Sequence, residues 1–215
     1  MNLGVVITQH LLYIAIATFV ITLLIRSFRY ARMPIHLRWE TYPVPHEEGK
    51  VVEFKELLSE LLFIKRVFYN KPKLWLFTYP LHLGIYLILT WLTLLVIGSL
   101  ATISGILRLN VVTPYHYLMS VVAYLGAGLI LLGSISLILY RIINDEMRRY
   151  TVPIDYFNLI LIALVAISGI VAWCSTDPLF VNAVQYVASL ITFNIMTTIP
   201  NTILTSPTML YIYYF

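Results

Sequence analysis

Residues 74–99 read LWLFTYPLHLGIYLILTWLTLLVIGS, without one Asp, Glu, Lys or Arg. A helix needs about 20 consecutive apolar residues to cross a bilayer, and this run exceeds that. Similar runs occupy about residues 3–25, 114–140 and 156–175. The chain is 60% hydrophobic and 11% charged, against about 25% charged in a soluble domain. Alternation of period two is absent, which argues against a β-barrel. The expected fold is all-α: one polytopic membrane domain over residues 1–215, with four clear spans and a partial fifth. The fifth region, 179–215, is apolar but broken by Pro200 and Pro207.

Charge sets the expected topology. Ten Lys/Arg lie between Arg26 and Lys73, three more at Arg141, Arg148 and Arg149, and Arg108 alone elsewhere. Positive loops stay in the cytoplasm, so residues 26–73 and 141–155 are expected inside and the N-terminus outside a cell membrane. The first span lacks a basic leading region and outruns a signal-peptide core, so it reads as a retained helix. The net charge of +4 then reflects topology, and no motif points to nucleic acid. Cys174, the sole cysteine, fits no disulfide, zinc or iron–sulfur spacing and reads as buried filler.

The connections differ in length. The loop 27–73 opens with MPIHLRWETYPVPHEEG (33–49), whose prolines favour extended chain. Residues 51–69 then place Phe54, Leu57, Leu58, Leu61, Leu62 and Phe68 on one side and Glu53, Glu56, Glu60 and Arg66 largely on the other. That pattern predicts a cytoplasmic amphipathic helix, suited to the membrane surface or to a partner. In the loop after the third span, Pro153 breaks the helix and Asp155 stands where it can cap the fourth. No charged residue follows Pro178. Either 179–199 span the membrane, or a last helix starts near Pro207 and is cut short, the reading preferred here.

Histidines carry the chemistry. An ionisable group inside a span costs roughly 2.5 kcal/mol or more unless paired, ligated or neutral, and imidazole holds haem iron from helices. His82 sits about two turns inside its span, with Thr78 and Tyr86 one turn either side. Haem ligation and a hydrogen bond to a neighbouring helix are both open to it. His116 begins the third span in TPYHYLMS (113–120), followed by the small stripe Ser120, Ala123, Ala127. That stripe leaves room for a flat ring or for a second helix. His116 reads as haem ligand, quinol contact or interfacial residue, and His10 lies at a similar depth. His82 and His116 cannot serve one iron, being on the order of 20 Å apart along the membrane normal.

The stretches PIHLRWETYPVPHEE (34–48), KLWLFTYPLHLGIYL (73–87) and DEMRRYTVPIDYFNL (145–159) resemble the membrane cytochrome b subunit M of the Dsr, sulfite-reduction-associated, complex. More distantly, the chain is similar to the gamma subunit of respiratory nitrate reductase. The resemblance runs from about residue 1 to 205. It implies five helices, two b-type haems and exchange of electrons with menaquinol; for this chain one or two haems are expected. It also implies a cytoplasmic iron–sulfur partner of the heterodisulfide-reductase type, with further membrane and extracytoplasmic subunits.

On this reading His82 holds the inner haem. His116 and His10 are candidates at the outer haem or quinol site, with Arg108 and Tyr115 beside the quinol. His36, Arg38, Trp39, Glu40 and His46 fall where the partner docks. Members of that family continue into a last helix with further histidines, whereas TSPTMLYIYYF (205–215) looks like only its beginning. The rival expectation is a haem-free anchor that docks a soluble complex. A transporter would want broken helices and acids at the midplane, which this chain lacks.

Overall fold

The computed structural model describes residues 3–32, 50–107 and 112–193. Among the described residues eight helices appear in order: α1 Leu3–Arg32, α2 Lys50–Phe63, α3 Lys65–Asn70, α4 Pro72–Ile103, α5 Pro114–Ile143, α6 Asp145–Tyr150, α7 Pro153–Thr176 and α8 Val181–Ile191. Four of them (α1, α4, α5 and α7) are long and apolar enough to cross a membrane, and α8 is a short apolar helix. No strand occurs among the described residues. Arg108, His36, Arg38, Trp39, Glu40, His46 and the tail beyond Phe193 lie outside the described residues.

Local sequence explains where the spans begin. α4, α5 and α7 each open on a proline, whose fixed φ suits a first helical turn and whose missing N–H is not needed there. Asp155 caps α7 as expected, its Oδ2 accepting the Val152 N–H at 3.2 Å. The same carboxylate pairs with Arg141 of α5 at 3.3 Å, tying two helices at the basic end of the bundle.

Antiparallel α4 and α5 form the centre. Their backbones approach closely because glycine stands at the crossings: a Cβ on Gly84 would lie 2.7 Å from the Gly126 oxygen, and one on Gly133 would lie 2.5 Å from the Leu81 nitrogen. α7 packs on α5 and α8 on α4. Two apolar clusters result: Leu81, Ile130, Leu137, Leu159 and Ala166 near the basic end, and Leu95, Met119, Ala123, Phe180, Ala183 and Val184 near the opposite end. The small stripe Ser120, Ala123, Ala127 is therefore filled by protein: Ala123 packs in this second cluster, and Ser120 Oγ donates to the Pro178 carbonyl at 2.7 Å.

Three sequence expectations are corrected. The helix 51–69 is two helices, broken at Ile64, whose φ of 51° is left-handed. The reversal brings Phe68 edge-on to Trp75 at 5.0 Å, and the Glu60 carboxylate accepts the Arg66 N–H at 2.9 Å to start α3. α8 has 11 residues, about 16 Å of helix, so 179–199 is not one spanning helix. Cys174 is exposed, not buried.

The end of α2 is held by side chains of α4. Trp75 Nε1 donates to the Phe63 carbonyl at 2.7 Å, and the Tyr86 hydroxyl donates to the Leu61 carbonyl. Last-turn carbonyls lack helical donors, so these bonds replace water. Removing one hydrogen bond costs about 1 kcal/mol. Tyr86→Phe should therefore speed hydrogen exchange in α2 several-fold, as read by mass spectrometry. Unchanged exchange would mean that the hydroxyl does not hold α2.

α1 stands nearly apart. Every residue from Ile14 to Arg32 is exposed. It meets the bundle near its start, where Tyr13 donates to the Leu190 carbonyl at 3.0 Å and stacks on Phe193.

Candidate functional site

His82 stands ten residues into α4 from Pro72, about 15 Å along the helix. Leu81, Gly84 and Ile88 face α5. At about 100° per residue, His82 is turned roughly 130° from that stripe. It shares its side of the helix with Ile85 and Leu89, both exposed. Pro80, two residues earlier, interrupts the helical ladder, since it lacks an N–H for the Leu76 carbonyl.

The ring of His82 is fixed at one nitrogen. Nδ1 lies 3.0 Å from the Thr78 carbonyl. A carbonyl can only accept, so Nδ1 carries the proton and Nε2 keeps its lone pair. The Thr78 and Tyr86 hydroxyls do not serve the imidazole: Thr78 donates to the Leu74 carbonyl, and Tyr86 to α2. The last turn of α2, held between Trp75 and Tyr86, lies at the height of His82.

His116 is arranged in the opposite sense. It is buried at 3% exposure, and its Nδ1 lies 3.1 Å from the Thr113 backbone nitrogen and 2.9 Å from the Thr113 Oγ1. A backbone N–H can only donate, so Nδ1 is the acceptor and the neutral ring carries its proton on Nε2. His116 is thus the third residue of a capping box at the start of α5. Ligating iron through Nε2 would require the other tautomer and would break this cap. The sequence TPYH already contained that signal, a threonine cap followed by proline and a side-chain acceptor three residues on.

The remaining candidates are spread out. The Tyr115 hydroxyl donates to the Leu94 carbonyl, and its ring packs against Gly98. His10 is exposed on α1. The structure brings Tyr115 and His116 together at the opposite end, while His82 stands by itself nearer the basic end. Since Gly98 meets Tyr115, the 16 residues of α4 between His82 and Gly98 put roughly 24 Å between the two levels.

Asp177 is a site residue that the sequence reading missed. It is 4% exposed, and its carboxylate accepts the Val181 and Ala183 N–H groups at 3.0 and 2.9 Å. The carboxylate sits at the start of α8, where exposed helical donors and the helix dipole stabilise negative charge. The pair Asp177-Pro178 between two apolar runs was the available signal.

Haem has a partial fit. Metal-ligating histidines commonly hold their other ring N–H on a backbone carbonyl, as His82 does. Ile85 and Leu89, both exposed, share its side of α4, and the last turn of α2 stands beside it between Trp75 and Tyr86. Among the described residues no group of three or more His, Cys, Asp or Glu gathers to hold a metal ion. The histidines described thus offer one nitrogen, His82 Nε2, that could hold a haem. Compared with known proteins, the chain matches no family model, no curated protein and no solved structure.

Proposed function

We propose that this chain is the haem-b-carrying membrane subunit of a respiratory redox complex. It takes electrons from menaquinol and delivers them to a cytoplasmic iron–sulfur subunit of the heterodisulfide-reductase type. The observation that carries the reading is the His82 imidazole, pinned through Nδ1 to Thr78 so that Nε2 keeps its lone pair. The three sequence stretches that resemble the Dsr membrane cytochrome supply the partner and the quinol.

Each part of the chain has a task on this reading. His82 would hold a haem through Nε2, and bound haem would supply one-electron chemistry within the bilayer. Ile85 and Leu89 keep water from that imidazole, and Thr78 holds its tautomer. His116 is not proposed as a ligand, because its Nδ1 serves the α5 cap. Any further residue holding that haem would come from another subunit or from outside the described residues. The basic segments 26–73 and 141–155 are assigned to the cytoplasm by the positive-inside rule. That places α2, α3 and α6 on the partner's side and the N-terminus outside. A quinol oxidised near the outer surface would release its protons there and contribute to the membrane potential.

A haem-free anchor is the rival. It is favoured by the apolar residues of α2, which nothing described covers: Phe54, Leu57 and Leu61 are 63, 66 and 59% exposed. A pyridine haemochrome spectrum of the purified complex decides between them. A b-type signal in proportion to this chain is the expected result; none leaves the anchor.

A further inference from the structure

Along α2, Phe54, Leu57, Leu58 and Leu61 are 43–66% exposed. At about 100° per residue, these four and Leu62 fall within an arc of about 140°. Glu56, Ser59 and Glu60 occupy the opposite side, with Lys55 at the border. The helix is two-faced, and the rest of the described chain leaves its apolar face open. What covers that face is decided by its depth.

Two observations fix the depth. α4 carries no charged residue between Lys73 and its end at Ile103, so the hydrocarbon begins just past Lys73. Trp75 and Tyr86, three and fourteen residues past Pro72, stand about 5 and 21 Å along the helix. Both bond carbonyls of the last turn of α2, those of Phe63 and Leu61, so that turn sits between their levels. The second observation is aromatic. Phe68 stands edge-on to Trp75, and Trp75 stacks on Tyr79 with centroids 4.7 Å apart. Phe63, Phe68, Tyr69 and Trp75 line a cleft of about 350 Å³ with Ser59 and Lys65. Trp and Tyr concentrate where membrane meets water, and Lys65, Arg66 and Lys73 are exposed in the adjoining turns.

We infer that α2 lies within the leaflet at the basic end of the bundle, along the boundary between headgroups and hydrocarbon. Its occupant is lipid. The apolar face continues the exposed side chains of α4 at the same level, Leu76 and Ile85, which face hydrocarbon if α4 spans. A soluble partner would have to enter the acyl layer to reach it. Glu56 and Glu60 need water, so the helix lies along the boundary, as amphipathic helices do when their apolar face sinks about 5–10 Å. Lys65, Arg66 and Lys73 suit the phosphates of anionic lipid. The inference needs α4 to cross the membrane and needs nothing of haem or quinol. It assigns to lipid the face that otherwise favours a docking anchor, and leaves a cytoplasmic partner the polar side.

The test uses the full chain in nanodiscs of phosphatidylcholine and phosphatidylglycerol. Nitroxide labels are placed by Leu57→Cys, Leu61→Cys and Glu56→Cys, each combined with Cys174→Ser. Electron paramagnetic resonance then compares collisions with oxygen, which concentrates in hydrocarbon, and with a water-soluble nickel chelate. Oxygen should dominate at positions 57 and 61, and nickel at 56. Nickel dominating at 57 and 61 would put the face in water, open to a soluble partner. Access by neither reagent would mean that protein covers it, a second copy or another part of the chain. Oxygen dominating at all three would sink the helix below the boundary. Each of these overturns the inference. The unsubstituted chain gives an independent reading, with phosphatidylglycerol carrying a photoreactive diazirine in its acyl chain. Adducts are expected on the peptide Phe54–Phe63, and their absence there while α4 is labelled overturns it too.

Discussion

Replacing His82 with alanine should abolish the b-type haem spectrum of the purified complex while the chain still inserts in full. The size of the effect follows from the count of usable nitrogens. His82 offers Nε2 with its lone pair because Nδ1–H is held by Thr78. His116 does not, because its Nδ1 accepts the Thr113 N–H. The structural cost of His82→Ala should be small: the ring is only partly buried, and its bond reaches a carbonyl of its own helix. His116→Ala should give the mirror image. It should cost about 1 kcal/mol of stability through the lost cap and leave the haem spectrum intact. Absorption spectra and thermal unfolding of the two variants, side by side, check this. A haem signal that survives His82→Ala, or disappears in His116→Ala, would refute the assignment.

Placing a methyl group on Gly133 should be the most damaging single change to the fold itself. The new Cβ would meet the Leu81 nitrogen and Cα at 2.5 and 2.7 Å. Backbone cannot rotate out of the way as a side chain can, so the helices must part. Inside a bilayer, helices associate by close packing and not by exclusion of water, so parting them forfeits the contact that joins them. Overpacking of this kind costs about 1–3 kcal/mol, and Gly133→Leu should exceed Gly133→Ala. Gly128 is the internal control on the same helix, because nothing lies within 4 Å of its added Cβ. Gly128→Ala should be neutral or slightly stabilising, alanine being the better helix former. Unfolding in detergent micelles, followed by circular dichroism, separates the cases. Equal midpoints for Gly133→Ala and Gly128→Ala would show that the close crossing does not hold the bundle together. Since Leu81 adjoins His82, Gly133→Ala should also disturb the imidazole, so the two predictions are coupled through one helical turn.

The link between fold and proposed chemistry runs through α2. Its end is fastened to α4 by Trp75 and Tyr86, at the level of His82. Tyr86 lies one turn from His82 along the same face, where the sequence alone suggests a companion for the imidazole. It is a neighbour, but its hydroxyl ties down the end of α2.

The sequence alone was enough for the four long apolar helices and their order, and for their starts to within three residues. Hydropathy is summed along the chain, and helix initiation is decided within four residues, as Pro114 and Pro153 illustrate. Asp155 was legible as a cap for the same local reason. What covers each face was not legible. A periodic pattern says that Ser120, Ala123 and Ala127 share a side, but only the packed bundle decides that protein fills it. Likewise the reversal at Ile64 and the burial of Asp177 depend on residues far apart in sequence. These features are set by which helices meet, because a side chain's partner in space is chosen by packing and not by its position along the chain.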